Sequence, residues 1–214
     1  CSSLGSYILI LALIQHIYLL RTVATGNLEG DQTLPPADMT EVERALKNWQ
    51  RGWNQDPESF LGPGSPLGPI SFNSTALLRM AYIRLNVDLG PWRALNTHDP
   101  YEIAMSIYRS PPLATNRGLT RAVLYSAHAL SIPVKIGVNI VAHNQAFSWS
   151  LQHSLCALEC AFIISKWLIA IEPHLSKGTI DEEEARLYAY IVDMATEAEA
   201  GGETKSPSGD LCAR

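Results

Sequence analysis

One segment, residues 6–24, restricts the fold of this chain more than any other stretch. It has the sequence SYILILALIQHIYLLRTVA, without glycine or proline, which predicts a helix that we expect to be buried. A membrane span needs about 20 apolar residues, and Gln15 and His16 interrupt the apolar run of residues 4–20 near its middle. No basic region precedes this run and no clear small-residue cleavage site follows it. We therefore expect no membrane partner, and a membrane-associated helical protein using residues 4–20 stays as a second alternative.

The remaining segments also follow helical spacing, because apolar and polar residues never alternate over the length of a strand. Stretches rich in glycine and proline separate these segments. The 214 residues are enough for one large domain. We predict an all-α fold, a single domain of about six or seven packed helices with Gly/Pro-rich loops. Residues 1–198 would form this helical domain and residues 199–214 a flexible polar tail. Since the chain begins with Cys1 rather than Met, we expect a fragment of a longer protein.

Several helix ends can be predicted from local signals. Thr40 with Glu43 three residues later forms a capping-box pattern at the start of one helix. Pro133 lies inside a helical segment and predicts a kink or break near Ser131. A later helix is expected to cover residues 147–171 and to end before the next proline.

The charge of the chain limits what it can bind. The sequence is 47% hydrophobic and 17% charged, with a net charge of −5, and its 16 basic residues are scattered. Binding to a phosphate backbone depends on clustered Lys and Arg. We therefore do not expect this segment to bind DNA by itself.

The stretch QHSLCALECAF, residues 152–162, holds the strongest candidate chemistry. His153, Cys156 and Cys160 have helical spacing and fall on one side of a helix. A polar stripe formed by Gln152, Glu159 and Lys166 lies on another side. The two cysteines therefore share the most apolar face with bulky hydrophobic residues.

Two interpretations of this face compete. A zinc site would need a fourth ligand and three convergent ligands from one straight helix, whereas helical spacing readily supplies only two. Free cysteine, in contrast, is among the most buried residue types. We predict a core face, with no catalytic, cofactor-binding or metal residue assigned. A helical metalloprotein or enzyme using His153, Cys156 and Cys160 is the alternative, and these three are the candidate residues for it.

Three blocks carry a resemblance to a known family: FNSTALLRMAYIRLN, YSAHALSIPVKIGVN and FSWSLQHSLCALECAFIISKWL. Together they resemble the C-terminal regulatory region of fungal C2H2 zinc-finger transcription factors, the helical part often called the fungal-specific transcription factor domain. The segment around Trp49 and Trp53, and the loop PESFLGPGSPLGPIS, are similar to that family as well. The resemblance extends over residues 1–194.

The resemblance implies a nuclear, non-enzymatic regulator of RNA polymerase II transcription. In that family zinc fingers bind DNA, and the helical region mediates contacts, for example with another copy or a coregulator protein. This sequence lacks the C-x2–4-C…H-x3–5-H pattern of such a finger. DNA binding and zinc would therefore belong to fingers outside this segment, and no cofactor is expected within it.

Overall fold

The architecture comes from a computed structural model that describes residues 2–25, 34–60, 69–88, 92, 96–113, 117–137, 141 and 151–202. Within these residues the chain forms seven helices and no strand. In chain order they are α1 (Ser3–Thr25), α2 (Pro36–Gln55), α3 (Ile70–Asn86), α4 (Pro100–Arg109), α5 (Arg117–Ile136), α6 (Leu151–Lys177) and α7 (Glu182–Gly202). The predicted all-α fold is confirmed.

Helices α3 and α6 form the centre of the molecule. Helix α3 packs against α1, α2, α5 and α6, and α6 packs against α3, α4 and α5. Every residue from Ser71 to Leu78 is buried, as expected for a helix surrounded on all sides. Helix α2 also covers α1, and α7 covers α5. One hydrophobic core therefore joins both ends of the chain.

The polar stripe of α6 points into the protein rather than into water. Gln152 Nε2 donates to the hydroxyl of Tyr7 on α1 at 2.9 Å. Glu159, 3% exposed, accepts two hydrogen bonds from Arg84 on α3, at 2.8 and 3.3 Å. Lys166 Nζ donates to the carbonyl oxygen of Ser110, just after α4, at 2.7 Å. Each polar residue of the stripe therefore bonds to a different neighbour of α6.

The predicted capping box is wrong, because α2 begins four residues earlier, with Pro36 in its first turn. Proline is well suited to that position, since its missing N–H would have no helical partner there. Thr40 lies inside the helix and its hydroxyl donates to the carbonyl oxygen of Pro36 at 2.8 Å. Glu43 instead accepts from Arg121 on α5 at 3.0 Å and lies 3.6 Å from Lys47.

Two predicted helix breaks at prolines are also wrong. Helix α5 continues through Pro133 to Ile136, so it does not break near Ser131. Helix α6 continues through Pro173 to Lys177, while the predicted start at residues 147–150 lies outside the described residues. A proline removes one hydrogen bond of its helix, and both helices keep their packing against several neighbours. The free energy gained by packing these helices therefore exceeds the cost of the hydrogen bond lost at each proline.

Helix α1 differs from its predicted burial. Ile10, Ile14 and Ile17 are buried in the core. The opposite side is exposed and carries large apolar residues, including Ile8 at 57% and Tyr18 at 67% exposure. The prediction of a buried helix is therefore wrong for this side of α1, because only α2 and α3 pack extensively against the helix.

Both α1 and α6 are long and apolar enough to cross a membrane by length and composition. Half of the apolar window of α6 is buried inside the protein, compared with 17% of that of α1. Core helices of soluble proteins pass the same test of length and composition. The burial of α6 is that of a core helix.

Helix α7 begins with three acidic residues, Glu182 to Glu184, where the helix dipole favours negative charge. Leu187 and Ile191 of this helix are buried in the core. The helix continues to Gly202, and residues 203–214 of the predicted tail lie outside the described residues.

Candidate functional site

The candidate residues His153, Cys156 and Cys160 lie on the side of α6 that packs into the core. Their exposures are 7%, 3% and 0%. The ring of His153 stacks on Phe72 of α3, with centroids 4.3 Å apart and planes 18° apart. The Cys156 thiol donates to the carbonyl oxygen of Ala76 on α3 at 3.5 Å. The predicted placement of the three residues on a core face is confirmed.

The two thiols are in contact, with their sulfur atoms 3.8 Å apart. The hydrogen bond with Cys160 and burial raise the pKa of the Cys156 thiol well above its usual range. Cys156 is therefore a thiol at neutral pH, whereas the hydrogen bond with Cys156 lowers the pKa of Cys160. Nucleophilic attack or metal ligation requires a thiolate, and both sulfur atoms are buried. These contacts are those of packed core residues.

The imidazole of His153 is neutral at physiological pH. Burial, and to a smaller extent the positive charge of Arg79, lower its pKa to about 4. The adjoining cavity measures about 20 Å³ and is bounded by Arg79, Pro133 and Cys156 among others. This is the volume of about one water molecule, so the cavity does not admit a substrate.

Metal ligation needs several convergent donors. Among the described residues, no group of three or more His, Cys, Asp or Glu side chains is placed to hold a metal ion. The structure brings Cys156 and Cys160 together and stacks His153 on a phenyl ring. The geometry thus supports packing, and the alternative of a metalloprotein or enzyme gains no support from it.

Buried charges form a second cluster, which sequence reasoning did not identify. Arg21 of α1 donates through Nε to the carbonyl oxygen of Arg84 at 2.7 Å and through Nη2 to that of Leu85 at 3.0 Å. These carbonyls belong to the last turn of α3, where a cation is favourable. The side chain of Arg84 in turn binds Glu159. The cluster joins the ends of α1 and α3 to α6, and its role is structural.

A sequence signal for this cluster did exist. Glu159 and Lys166 recur at intervals of seven with Gln152 on a helix that is otherwise apolar. A narrow polar stripe on such a helix indicates internal polar partners, because buried charges must be hydrogen-bonded or paired. Burial lowers the pKa of the Lys166 ammonium, as expected for a cation inside the fold.

The exposed side of α1 carries several large apolar side chains. Its exposed large side chains are Leu4, Ile8, Leu9, Leu11, Tyr18, Leu19 and Val23. Contiguous exposed apolar surface of this kind marks an interaction site in soluble proteins.

An apolar groove adjoins this surface, between α1 and α2. Its volume is about 500 Å³, within the range of pockets that bind small molecules or partner side chains. Leu9 and Leu13 form the wall on α1, and the stacked rings of Trp49 and Trp53, 6.5 Å apart, form part of the wall on α2. The indole N–H of Trp49 donates to the carbonyl oxygen of Ser6 at 2.7 Å, which fixes α2 against α1.

Comparison with known proteins gives one match. A family model described as the fungal transcription factor C-terminal domain matches residues 88–213, more than half of the chain. The chain belongs to this family. The match covers α4 to α7, and two of the three identifying blocks, at residues 125–139 and 147–168, lie within it.

No curated protein and no solved structure matches the chain. Membership of this family confirms the resemblance to a fungal transcription factor C-terminal domain and supports a role in transcription regulation. The family implies a non-enzymatic role and suggests a nuclear location. The assignment rests on residues 88–213, which include His153, Cys156 and Cys160 but not the groove between α1 and α2.

Proposed function

We propose that this chain is a regulatory and interaction domain of a nuclear fungal transcription factor that controls transcription by RNA polymerase II. The single observation that carries the proposal is the family match over residues 88–213. DNA is bound by zinc fingers outside this segment, and the helical domain acts through contacts with another copy or with a coregulator protein.

The surface chemistry supports a protein-binding role over a DNA-binding one. The net charge of −5 opposes binding to a phosphate backbone, and the 16 basic residues form no run in the sequence. Of the cations described above, Arg21 caps α3 and Arg84 is paired with Glu159. The apolar face of α1 instead suits another protein surface.

A transcription assay tests the regulatory role. The whole chain is fused to an unrelated DNA-binding domain and expressed with a reporter gene in a fungal cell. We expect reporter transcription to change severalfold, in either direction, relative to the DNA-binding domain alone. A tagged copy of the fusion reports the nuclear location in the same cells.

The matched control for this assay is Trp167→Glu, which places a charge at a fully buried position of α6 and should abolish the effect by unfolding the domain. If the folded wild-type chain leaves the reporter unchanged in several promoter contexts, the regulatory role is wrong. Circular dichroism of both purified chains establishes which of them is folded.

DNA binding by the isolated chain is tested separately. We expect no sequence-specific binding at moderate salt, because an acidic surface gains little from counterion release. Tight and specific binding to a duplex selected from a random library would contradict the placement of DNA recognition outside this segment.

A further inference from the structure

Helix α2 contains a glycine that neither its backbone nor its packing requires. Gly52 lies within the helix, is exposed, and has no left-handed backbone angle. A Cβ atom added to it would meet nothing within 4 Å, although alanine is the better helix former. Gly52 lines the apolar groove between α1 and α2, so the missing side chain keeps that groove open.

The groove has the length of a short stretch of bound helix. Its lining on α2 extends from Ala45 to Trp53, about 12 Å at 1.5 Å per residue. Three apolar side chains at positions i, i+4 and i+7 of a partner helix span about 10.5 Å. Leu9 on the opposite wall is 51% exposed, so a segment lying across the surface can reach the groove.

Charge lies beside one wall of the groove only. The wall on α1 is uncharged, because no charged residue occurs between residues 2 and 20. On α2, Arg44 and Arg51 directly precede Ala45 and Gly52 of the wall, and both arginines are exposed. Neither of them forms an ion pair with another described residue. The α2 margin of the groove therefore carries two uncompensated positive charges.

The acidic residues near this margin do not cancel its charge. Glu43 is already shared between Lys47 and Arg121, at 3.6 and 3.0 Å. Glu58 accepts a hydrogen bond from the backbone at the start of α1 at 3.0 Å, and Glu41 precedes the lining of the groove by one turn. Salt screens charges beyond about 8 Å, so the negative net charge of the whole chain acts weakly here.

We propose that this groove is the docking site for an acidic amphipathic helix of a coregulator protein. The apolar side chains of that helix enter the groove beside Leu9 and Trp49, and its carboxylates pair with Arg44 and Arg51. The two arginines are seven residues apart, about 10.5 Å along α2, and a helix lying along α2 repeats its own flank at the same interval. The proposal specifies the partner of the interaction role proposed above and rests on it.

The charges select this occupant over two others. A second copy docked symmetrically through the same groove would bring the arginines of both copies, Arg44 and Arg51 of each, into one contact, where like charges repel. A lipid surface receives protruding apolar side chains and leaves a groove unfilled. A partner helix supplies both the protruding apolar residues and the opposite charge.

Selection from a peptide library tests the predicted chemistry of the partner. The probe is a displayed library of helical peptides of about 16 residues, with leucine fixed at i, i+4 and i+7 and flanking positions varied among Glu, Gln and Lys. Selection uses the purified whole chain. We expect the enriched peptides to carry Glu on one flank and to bind with dissociation constants on the order of 10 μM, measured by fluorescence anisotropy.

Filling the groove tests the location of the site. Gly52→Leu adds a side chain where the fold has open space and should weaken binding of the enriched peptides at least about tenfold. Asn54→Leu is the matched control, because it adds the same side chain at an exposed position of α2 that does not line the groove. Circular dichroism and urea unfolding should show that both variants remain folded.

A charge exchange tests the two arginines. Arg44→Glu with Arg51→Glu should weaken binding of the Glu-flanked peptide about tenfold, and a Lys-flanked version of the same peptide should regain the lost affinity. The control is Arg109→Glu with Lys177→Glu, which changes the net charge equally at exposed positions of α4 and α6. This control should bind the Glu-flanked peptide as the wild-type chain does.

Several outcomes would overturn the proposal. These are a library without any enriched binder, enrichment of neutral or Lys-bearing flanks, and binding that survives Gly52→Leu. A dimer in sedimentation that is lost in Gly52→Leu would assign the groove to a second copy, and binding to anionic vesicles lost in the same variant would assign it to lipid.

The reporter assay described above separates this proposal from the regulatory role. A Gly52→Leu fusion that changes reporter transcription as fully as the wild-type fusion refutes the docking site and leaves the regulatory role. Confirmed peptide binding by a wild-type chain that has no effect on transcription refutes the regulatory role and leaves the docking site.

Discussion

Helices α1 and α6 have similar compositions and opposite surroundings. Both are long, both are apolar enough to pass for membrane spans, and both carry a histidine near a stretch of aliphatic residues. Helix α6 packs against α3, α4 and α5, and even its Glu159 and Lys166 are buried. Helix α1 packs on one side and exposes an apolar row on the other. Apolar composition therefore indicates that a helix packs against other structure. How many neighbouring helices it contacts within one chain depends on the tertiary arrangement.

The largest contrast concerns the free energy of unfolding. Trp167 on α6 is fully buried, so Trp167→Ala should destabilise the domain by about 3 to 5 kcal/mol. Tyr18→Ala on α1 removes a side chain that is 67% exposed and should cost less than about 0.5 kcal/mol at concentrations where the chain is monomeric. Urea unfolding followed by circular dichroism measures both values. Equal costs would show that the exposed side of α1 is packed in solution, contrary to the structure.

A second contrast separates buried from exposed ion pairs. Glu159→Ala removes the partner of Arg84, whose side chain is only 25% exposed, and should cost roughly 3 kcal/mol. Glu182→Ala breaks the pair with Arg186 on the surface of α7, where both side chains are more than three-quarters exposed, and should change stability very little. The same urea titrations compare the two. A small effect for Glu159→Ala would mean that water reaches the Arg84 guanidinium once the carboxylate is removed.

These two contrasts also show which features were predictable from sequence. Helical spacing gave the all-α fold and placed His153, Cys156 and Cys160 on a core face, because periodicity on a single helix needs no tertiary information. Whether the polar stripe of α6 faces water or other helices depends on what surrounds that helix. The exposure of one side of α1 was not predictable for the same reason, because the sequence of a helix does not indicate which neighbours pack against it.

Helix ends show the same limit. Pro133 and Pro173 carry strong local signals for termination, and each lies inside a helix. The cost of a proline is a few kcal/mol, and burial of several large side chains exceeds it. The family resemblance, in contrast, was visible in whole blocks of sequence and was confirmed by a match over residues 88–213.

A third contrast concerns the pH dependence of stability in the wild-type chain and in His153→Phe. Burial lowers the pKa of His153 to about 4, below its value of about 6.5 in an unfolded chain. The unfolded chain therefore binds the proton more readily, and stability is lost as the pH falls from about 6.5 towards 4. We expect a loss of roughly 1 to 2 kcal/mol between pH 7 and 5 that is absent in His153→Phe. Urea unfolding at each pH measures the stability of both chains. A wild-type pH profile in His153→Phe would assign the acid sensitivity to other groups.

The smallest expected effect concerns thiol chemistry and metal. Because both side chains are buried, native Cys156 and Cys160 should resist alkylation, while a cysteine introduced at Tyr18 on the exposed side of α1 should react freely. Mass spectrometry after a short exposure to iodoacetamide measures both, with urea-unfolded chain as the control for total thiols. Elemental analysis of the same purified chain should find much less than one equivalent of zinc or iron. Stoichiometric metal that is lost in Cys156→Ala would contradict the interpretation of this face as packed core, because the buried face of α6 would then be a metal-binding site.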